Sequence, residues 1–305
     1  MKLVFAGTPT VAIPTLDLLA DRHDIAAVIT REDAPQGRKR ILTPSPIASR
    51  ATELGIDVIR ANRLGPDVSS AVEALRPDLG VIVAYGGLVR TPLLGTPRLG
   101  WINLHFSLLP RWRGAAPVQW TIIGGDETAG ATVFQLVPEL DAGPIFGTVA
   151  RPLGAHETAG HLLEALSVDG ASLTLDVVDA LADGSARSFE QHGEVTLAPK
   201  ITLADARIDW SVDAKTVYRR ILGTTPEPGA FTVIDGTRLK VLEAAPAYDV
   251  PTLDAGALRA DGPRVLIGTA TTPLHLIRVQ PAGKTGMAAT DWWRGLNTSE
   301  ALRAE

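Results

Sequence analysis

The sequence predicts an α/β fold, in which a mainly parallel sheet with helices on both faces is followed by a smaller domain of short strands. Two observations point to this fold. In the first part of the chain, short apolar runs alternate with segments whose apolar residues recur at helical spacing, which is typical of β-α-β units. After about residue 183, one helix is followed by several short strand-like runs with turn residues between them, which favours a small barrel or sandwich.

The first part of the chain opens on a short apolar run that ends in a loop and leads into a helical pattern. We expect strands at residues 2–6, 25–29, 57–60, 79–84 and 101–106, and helices at 11–19, 46–54, 67–75 and 161–181. Ser45 is the predicted N-cap of the second helix, and Pro46 takes its first position. The run at 79–84 is almost wholly apolar, as expected for a strand that helices cover on both faces.

The second part of the chain contains a predicted helix at 212–222, for which Ser211 is the candidate N-cap. Asp235-Gly236 is a hairpin signal between two of its strands. The predicted strands lie at 230–234, 238–242, 265–268 and 274–279. The stretch before the helix has mixed polarity and no strong periodicity, which is typical of a linker. We therefore expect domains at 1–184 and 207–305, with a linker at 185–206.

The composition excludes several classes of protein. Of the 305 residues, 45% are hydrophobic and 21% are charged, which is typical of a folded globular protein. The chain has no cysteine, so disulfides and thiolate sites are excluded, and its six histidines form no metal-binding pattern. We therefore expect no metal. No apolar stretch approaches the ~20 residues that span a bilayer, so we expect a cytoplasmic protein. The net charge of −5 argues against a globally basic nucleic-acid binder.

The segment with the most polar chemistry runs from Asn103 to Gly114 and reads N-L-H-F-S-L-L-P-R-W-R-G. Because side chains of an extended chain alternate between faces, Asn103, His105 and Ser107 are expected on one face. They lie at the carboxyl end of a predicted strand, where ligands of such sheets bind. An amide and an imidazole there can donate hydrogen bonds to a developing oxyanion, and Asp141 follows the next apolar run and can orient the imidazole.

Each of these residues also has a structural interpretation. A lone histidine in a strand is more often structural or solvated than catalytic. Asp141 precedes the turn-like sequence A-G-P, so it is also a typical turn residue. Ser107 does not lie in the G-x-S-x-G elbow of a nucleophilic serine, and a hydrogen bond to a ligand or to the loop is its better interpretation.

Three consecutive basic residues, Arg38, Lys39 and Arg40, lie in a proline-bracketed loop after the second predicted strand. Most exposed charge runs are simply solvated. This loop, however, follows a strand on the side of the sheet where ligands are expected, and guanidinium and ammonium groups bind phosphates. A polyanionic substrate and a solvated loop both remain open. Gly7-Thr8-Pro9 lacks the G-x-G-x-x-G pattern, which gives NAD or FAD binding only weak support.

Several motifs resemble those of the folate-dependent formyltransferases. The segment from Asn103 to Gly114, with the A-A-P that follows it, is similar to the family's signature, and L-D-A-G around Asp141 is similar to its second motif. The resemblance covers essentially the whole chain, through F-A-G-T-P at the start, the P-Q-G-R-K-R-I-L-T-P-S-P loop, A-Y-G at Tyr85 and G-K-T-G-M at Lys284. Within the family, the chain most resembles the branch that acts on initiator methionyl-tRNA.

The resemblance implies a Rossmann-like formyltransferase fold at 1–184, which is catalytic, and an OB-like β-barrel at 207–305 that holds tRNA. The implied reaction transfers the formyl group of 10-formyltetrahydrofolate to initiator methionyl-tRNA without a metal, and the implied enzyme is a monomer. The positions that match the family's functional residues are Asn103, His105 and Asp141 for catalysis, Ser107, Leu108, Leu109 and Pro110 for folate, and Arg38, Lys39 and Arg40 for tRNA.

The chemistry of formyl transfer gives each catalytic residue a predicted role. Asn103 and His105 would donate to the alkoxide of the tetrahedral intermediate, and Asp141 would orient the imidazole and accept the amine proton, directly or through a water. Three alternatives stay open. They are a formyltransferase for a small amine such as glycinamide ribonucleotide or an amino sugar nucleotide, a 10-formyltetrahydrofolate hydrolase, and a non-enzymatic nucleic-acid-binding module. The last alternative assigns no function to Asn103, His105 and Asp141.

Overall fold

The structure is a computed structural model that describes residues 1–37, 39–296 and 302–305. Contacts within the chain divide it into two units, each assembled from separate stretches of sequence. The first unit contains Met1–Pro117, Thr128–Pro152 and Leu163–Pro199, and the second contains Val118–Glu127, Leu153–Leu162 and Lys200–Glu305.

In the described residues, a seven-stranded sheet forms the centre of the first unit. The strands of this unit are β1 Lys2–Gly7, β2 Asp24–Thr30, β3 Ala34–Gln36, β4 Ile41–Thr43, β5 Val58–Arg60, β6 Leu79–Val83, β7 Trp101–His105, β8 Arg113–Gly114, β9 Thr128–Gln135, β10 Ile145–Pro152 and β11 Leu197–Ala198. The sheet has the order β10-β9-β7-β6-β1-β2-β5. Strands β7, β6, β1, β2 and β5 pair in parallel, whereas β9 and β10 pair antiparallel at one edge. The predicted mainly parallel sheet is confirmed.

Helices follow the parallel strands, as the sequence predicts. The helices of the whole chain are α1 Ile13–Arg22, α2 Pro46–Glu53, α3 Pro66–Leu75, α4 Pro117–Gly124, α5 Ala159–Asp183, α6 Ala214–Gly223 and α7 Ala289–Arg294, with short 3₁₀ turns at Thr10–Ala12 and Leu93–Gly95. The Oγ of Ser45 accepts the backbone N–H of Ala48 at 3.0 Å, and Pro46 begins α2. The predicted start of this helix is confirmed, because Ser45 satisfies an N–H that has no partner within the helix.

The core of the first unit packs closely around β6 and β7. Every residue of β6 is buried. Trp101, the first residue of β7, is fully buried, and its indole lies so close to Gly80 that a Cβ there would come within 2.1 Å of the ring. The Nε1 of Trp101 also donates to the carbonyl of Leu93 at 2.8 Å. These contacts hold the beginning of β7 in place, and its other end carries the polar residues of the predicted site.

The stretch that follows α5 adds to the first unit. Phe189 forms an isolated β-bridge with Ile145, and β11 pairs in parallel with β8. The backbone N–H of Arg113 donates to the carbonyl of Thr196 at 2.9 Å. The first unit extends to Pro199. Backbone hydrogen bonds therefore tie this stretch, despite its linker-like composition, to the unit that contains the parallel sheet.

The second unit contains an antiparallel sheet. Its strands are β12 Phe231–Ile234, β13 Thr237–Pro246, β14 Leu258–Asp261, β15 Arg264–Ile267, β16 Leu274–Pro281 and β17 Met287–Ala288. Their order is β12-β13-β16-β15-β14, with β17 paired to β16. Ala304 bridges to Ile234 next to one edge of this sheet, and Arg303 bridges to Ala257 next to the other. Residues 302–305 thus link the two edges, and the predicted second domain of short strands is confirmed.

Two local predictions for the second unit have different outcomes. Asp235 and Gly236 have φ values of 46° and 69° and join the paired residues Ile234 and Thr237, so the predicted hairpin is confirmed. The predicted N-cap Ser211 is wrong. Helix α6 is capped instead by Asp213, whose carboxylate accepts the N–H of Thr216 at 3.0 Å, because the helix begins two residues later than predicted.

A helix that crosses a membrane must be both long and apolar. None of the helices of the described residues combines the length and the apolar character that a membrane span requires.

Candidate active site

A cavity of about 600 Å³ opens at the carboxyl end of β6 and β7. Asn103 and His105 lie two residues apart on β7, and both line this cavity, as the alternation of side chains predicts. Asp141, from the loop after β9, lines it as well. The structure therefore brings together the three residues that the sequence predicts to be catalytic, at the edge of the sheet where ligands of such folds bind.

His105 is held in one orientation by its own chain. Its Nε2 lies 2.9 Å from the carbonyl oxygen of Trp112. Because a carbonyl oxygen can only accept, Nε2 carries the proton in this hydrogen bond. The other ring nitrogen, Nδ1, lies 3.8 Å from Oδ2 of Asp141. The nitrogen of the ring that is left for proton exchange is therefore Nδ1, beside the carboxylate.

The His105 side chain is 6% exposed and that of Asp141 is 10% exposed. Burial lowers the pKa of His105 below its ordinary value of 6.5, and the nearby charge of Asp141 and the carbonyl of Trp112 act in the opposite direction. The imidazole is therefore neutral at pH 7, with a lone pair on Nδ1. Such a ring can take up a proton, and the imidazolium that forms is stabilised by the carboxylate beside it.

From the sequence, Asp141 is either a turn residue or a partner of the imidazole, and in the structure it is both. Its φ of 47° is the left-handed conformation that suits a turn residue. Its carboxylate also faces the imidazole, and Oδ2 accepts the backbone N–H of Gly114 at 2.8 Å. The turn conformation and the position beside His105 are thus parts of one arrangement.

The four residues that the resemblance assigns to folate lie next to the site but outside the cavity wall that the described residues form. Ser107 is buried, and its Oγ donates to the carbonyl of Arg111 at 2.6 Å. The Oγ1 of Thr132 donates to the carbonyl of Ser107 at 2.6 Å. The others in this group are Leu108, Leu109 and Pro110, of which Leu109 packs in a core cluster with Phe134 and Ile145. In the structure, these contacts support the turn that follows β7.

The predicted basic loop is a hairpin. Strands β3 and β4 pair antiparallel, and Lys39 and Arg40 are exposed in the turn between them. Arg38 lies outside the described residues. Next to the turn, Ile41 and Leu42 are 62% and 66% exposed, which is unusual for apolar side chains. Neither Lys39 nor Arg40 lines the cavity, so the basic turn and the catalytic residues are separate features of the first unit.

Several groups of the site are not predicted from the sequence. The carbonyl of Trp112 and the N–H of Gly114 are backbone groups, which carry no residue-type signal. Leu88 and Leu197 line the cavity and are both 63% exposed, and Leu140 lines it and is 52% exposed. The cavity therefore has an apolar rim above its polar residues. In the described part of the chain, no group of three or more histidine, aspartate or glutamate side chains is arranged to hold a metal ion.

Comparisons with known proteins identify the family of the chain. Residues 1–178 match the formyl transferase family model, and residues 200–297 match the model of the formyl transferase C-terminal domain. The methionyl-tRNA formyltransferase of Leifsonia xyli is 59% identical, and the match covers 99% of this chain and 100% of the relative. That of Thermobifida fusca is 49% identical, with 99% of both chains covered.

Solved structures share the fold at low sequence identity. WlaRD, a sugar 3N-formyltransferase solved with dTDP and 5-N-formyl-THF, has a TM-score of 0.69 and 15% identity, and the match covers 93% of this chain and 99% of that one. HypX from Aquifex aeolicus, solved with tetrahydrofolic acid, has a TM-score of 0.62 and 17% identity, covering 95% of this chain and 46% of that one. The family matches and the full-length relatives together lead to one conclusion. The chain belongs to the formyltransferase family, and within it to the methionyl-tRNA formyltransferases.

Proposed function

We propose that this enzyme transfers the formyl group of 10-formyltetrahydrofolate to the α-amino group of the methionyl moiety of initiator methionyl-tRNA, which gives N-formylmethionyl-tRNA for translation initiation. The full-length relatives at 49% and 59% identity carry the name of this activity. Among proteins of the same fold, one was solved with 5-N-formyl-THF and another with tetrahydrofolic acid, which supports a folate as the formyl donor.

The observation that carries the proposal is the buried pair of His105 and Asp141 beside Asn103 in one cavity. Formyl transfer needs a donor for the oxygen that becomes negative and a group that moves one proton. The Asn103 amide can supply the donor, because an amide carries two N–H groups. The predicted roles of His105 as an oxyanion donor and of Asp141 as the proton acceptor are revised here, because the N–H of the neutral ring already donates to the carbonyl of Trp112. The neutral Nδ1 of His105 can instead take up the proton, and the charge of Asp141 stabilises the product of that step.

The proposed reaction proceeds in two steps. The amine nitrogen attacks the formyl carbon, a carbon–nitrogen bond forms, and the carbonyl electron pair moves to the oxygen, which Asn103 stabilises. The amine proton passes to Nδ1 of His105, and the imidazolium pairs with Asp141. The alkoxide then collapses, the bond between the formyl carbon and N10 of the folate breaks, and N10 receives the proton from Nδ1. The proton thus moves from the amine to N10 with no net gain or loss, and His105 returns to its neutral form.

The hairpin formed by β3 and β4 is our proposed contact for the tRNA. Between these two strands the sequence has three consecutive basic residues, Arg38, Lys39 and Arg40, in a chain whose net charge is −5. Local cations of this kind bind phosphates even where the whole protein is acidic. We further propose that the enzyme acts as a monomer in the cytoplasm, since one chain supplies all three catalytic residues and charged tRNA is used there.

One assay tests the proposal against its alternatives. Purified enzyme is mixed with 10-formyltetrahydrofolate and with initiator methionyl-tRNA, glycinamide ribonucleotide, an amino sugar nucleotide or no acceptor, and the release of tetrahydrofolate is followed. We expect rapid release with the charged tRNA only. Rapid release with a small amine, or without any acceptor, would overturn the proposed acceptor.

A further inference from the structure

We propose that Gln191 is a positioning residue for the catalytic pair, and that residues 191–198, here called the strap, hold both members of that pair in place. The strap lies between the two stretches that match family models. The first of these stretches ends at residue 178, and the second begins at residue 200. This inference rests on the proposed function, because it assigns Gln191 a role through His105 and Asp141.

The side-chain amide of Gln191 joins two loops of the active site. Its Nε2 donates to the carbonyl of Asp141 at 2.8 Å and to the carbonyl of Gly143 at 2.9 Å. Its Oε1 accepts from Nε and Nη2 of Arg113 at 3.1 and 2.7 Å. A primary amide has two N–H groups and two lone pairs, so these contacts use the full hydrogen-bonding capacity of the side chain. Another side chain of similar size does not offer the same set of donors and acceptors.

These contacts close a ring around Asp141. Arg113, which Gln191 binds, is followed by Gly114, and the N–H of Gly114 donates to Oδ2 of Asp141 at 2.8 Å. Asp141 is therefore held by its backbone carbonyl through Gln191 and by its carboxylate through Gly114. Its left-handed backbone, with φ at 47°, is uncommon for a residue with a side chain, although aspartate tolerates it, and these contacts help to hold it.

The strap also supports the other member of the pair. The Oγ1 of Thr196 accepts the N–H of Trp112 at 2.9 Å, and the Thr196 carbonyl accepts the N–H of Arg113 at 2.9 Å. Trp112 in turn supplies the carbonyl that orients His105. Asp141 is thus tied to the strap directly through its backbone carbonyl, and the imidazole of His105 is tied to it through Trp112. The 3.8 Å distance between Nδ1 and Oδ2 depends on where the strap lies.

The strap buries little apolar surface, because its one fully buried residue, Ala198, is small. Val195 and Leu197 are 51% and 63% exposed. Hydrogen bonds rather than hydrophobic burial therefore hold it against the first unit, and a change at Gln191 should affect the geometry of the site more than the stability of the fold.

The test compares Gln191→Leu and Gln191→Glu with a matched control. Glutamate keeps an acceptor for Arg113 but cannot donate to the carbonyls of Asp141 and Gly143, whereas leucine loses both contacts. The control is Gln135→Leu, because Nε2 of Gln135 also donates to two backbone carbonyls, those of Leu99 and Trp101, at 3.3 and 3.0 Å. It removes the same kind of contact at a place outside the cavity wall.

We expect kcat to fall by about 10- to 100-fold in both Gln191 variants, because small displacements of catalytic groups cost about this much. The KM values for the formyl-folate and for the charged tRNA should change by less than about threefold. The acidic limb of the pH profile of kcat/KM should move to lower pH, since the charge of Asp141 raises the pKa of His105 and a displaced carboxylate does so less. Gln135→Leu should leave kcat within about twofold of wild type.

A purely structural role would give a different result. If kcat per folded molecule and the pH profile of both Gln191 variants matched those of wild type, while only the melting temperature fell, the positioning role would be wrong. A Gln191→Glu enzyme with full kcat would also overturn it, because the donors to Asp141 and Gly143 would then be dispensable. Failure of the proposed function is distinguishable, because the wild-type enzyme would then transfer no formyl group to the charged tRNA. Failure of the catalytic assignment is distinguishable as well, because His105→Ala and Asp141→Asn would then retain full turnover.

Discussion

The carbonyl oxygen of Trp112 lies 2.9 Å from Nε2 of His105 and determines which nitrogen of the ring faces Asp141. A histidine with a proton fixed on Nε2 presents a lone pair at Nδ1 when it is neutral. The backbone seven residues downstream of the histidine thereby prepares it to accept a proton. This relationship explains why the signature continues past the strand that carries Asn103 and His105.

The first prediction concerns the two residues on β7. Asn103→Ala and His105→Ala should each lower kcat by about 10² to 10³, because loss of one oxyanion donor or of the proton-transfer group costs about this much. Single-turnover kinetics with initiator methionyl-tRNA would measure it. Binding of the formyl-folate, followed by calorimetry, serves as the internal control and should be retained. Near-normal turnover in both variants would refute the assignment.

The charge of Asp141 can be removed without removing its hydrogen bond to Gly114, because the oxygen of an asparagine can still accept that N–H. Asp141→Asn should lower kcat on the order of 10²-fold. It should also lower the pKa of His105 further, since the charge that raises it is lost. The acidic limb of kcat/KM should therefore move to lower pH. Asp183→Asn, an exposed change in the same unit, should show neither effect.

Burial of His105 also predicts a pH dependence of stability. The unfolded chain binds a proton at this residue near the ordinary pKa of 6.5, whereas the folded chain binds it only at lower pH. The unfolded state therefore takes up more protons, and stability should fall as the pH drops below about 6.5. Thermal unfolding of wild type and of His105→Gln from about pH 7.5 to 5.5 measures this, and the loss should be smaller in the variant. An equal loss in both proteins would exclude a contribution from His105.

Gly80 lies against the Trp101 indole, so its replacement tests the packing at the beginning of β7, the strand that carries Asn103 and His105. A Cβ at this position would lie 2.1 Å from the ring, and Gly80→Ala should therefore destabilise the protein by about 1 to 3 kcal/mol. Denaturant unfolding would measure the change. Gly95→Ala is the control, because nothing lies within 4 Å of the Cβ that it would add. Equal stability of the two variants would show that the core repacks freely around β7.

The basic hairpin predicts a dependence on salt. Arg38→Ala, Lys39→Ala and Arg40→Ala should each raise the KM for charged tRNA. Each lost phosphate contact should reduce the slope of log K against log salt by roughly 0.7 to 0.9. Arg187→Ala makes the same change of charge at an exposed position outside the hairpin and serves as control. Unchanged KM values and salt slopes in all three hairpin variants would exclude this turn from the tRNA contact.

The sequence predicts the parallel strands and their helices well, because apolar periodicity and local signals such as Ser45-Pro46 determine them. It does not predict β3 and β4. The short alternation there is interrupted by Pro35, and Ile41 and Leu42 are exposed although their composition suggests burial. It places Asn103 and His105 on one face because alternation is a local property of a strand. It cannot place Gln191 beside Asp141, since the two are 50 residues apart and only tertiary packing joins them.

The pairing of β8 with β11 has a consequence for recombining domains of this family. A chimaera joined at residue 184 would combine the parallel sheet of one parent with the strap of another, and the amide of Gln191 and the hydroxyl of Thr196 would have to match a foreign loop. A junction after Pro199, where the first unit ends, keeps all of these partners in one parent. Exchange of the chain that follows the junction should therefore preserve activity at the later breakpoint and lose it at the earlier one, although the junctions differ by only fifteen residues.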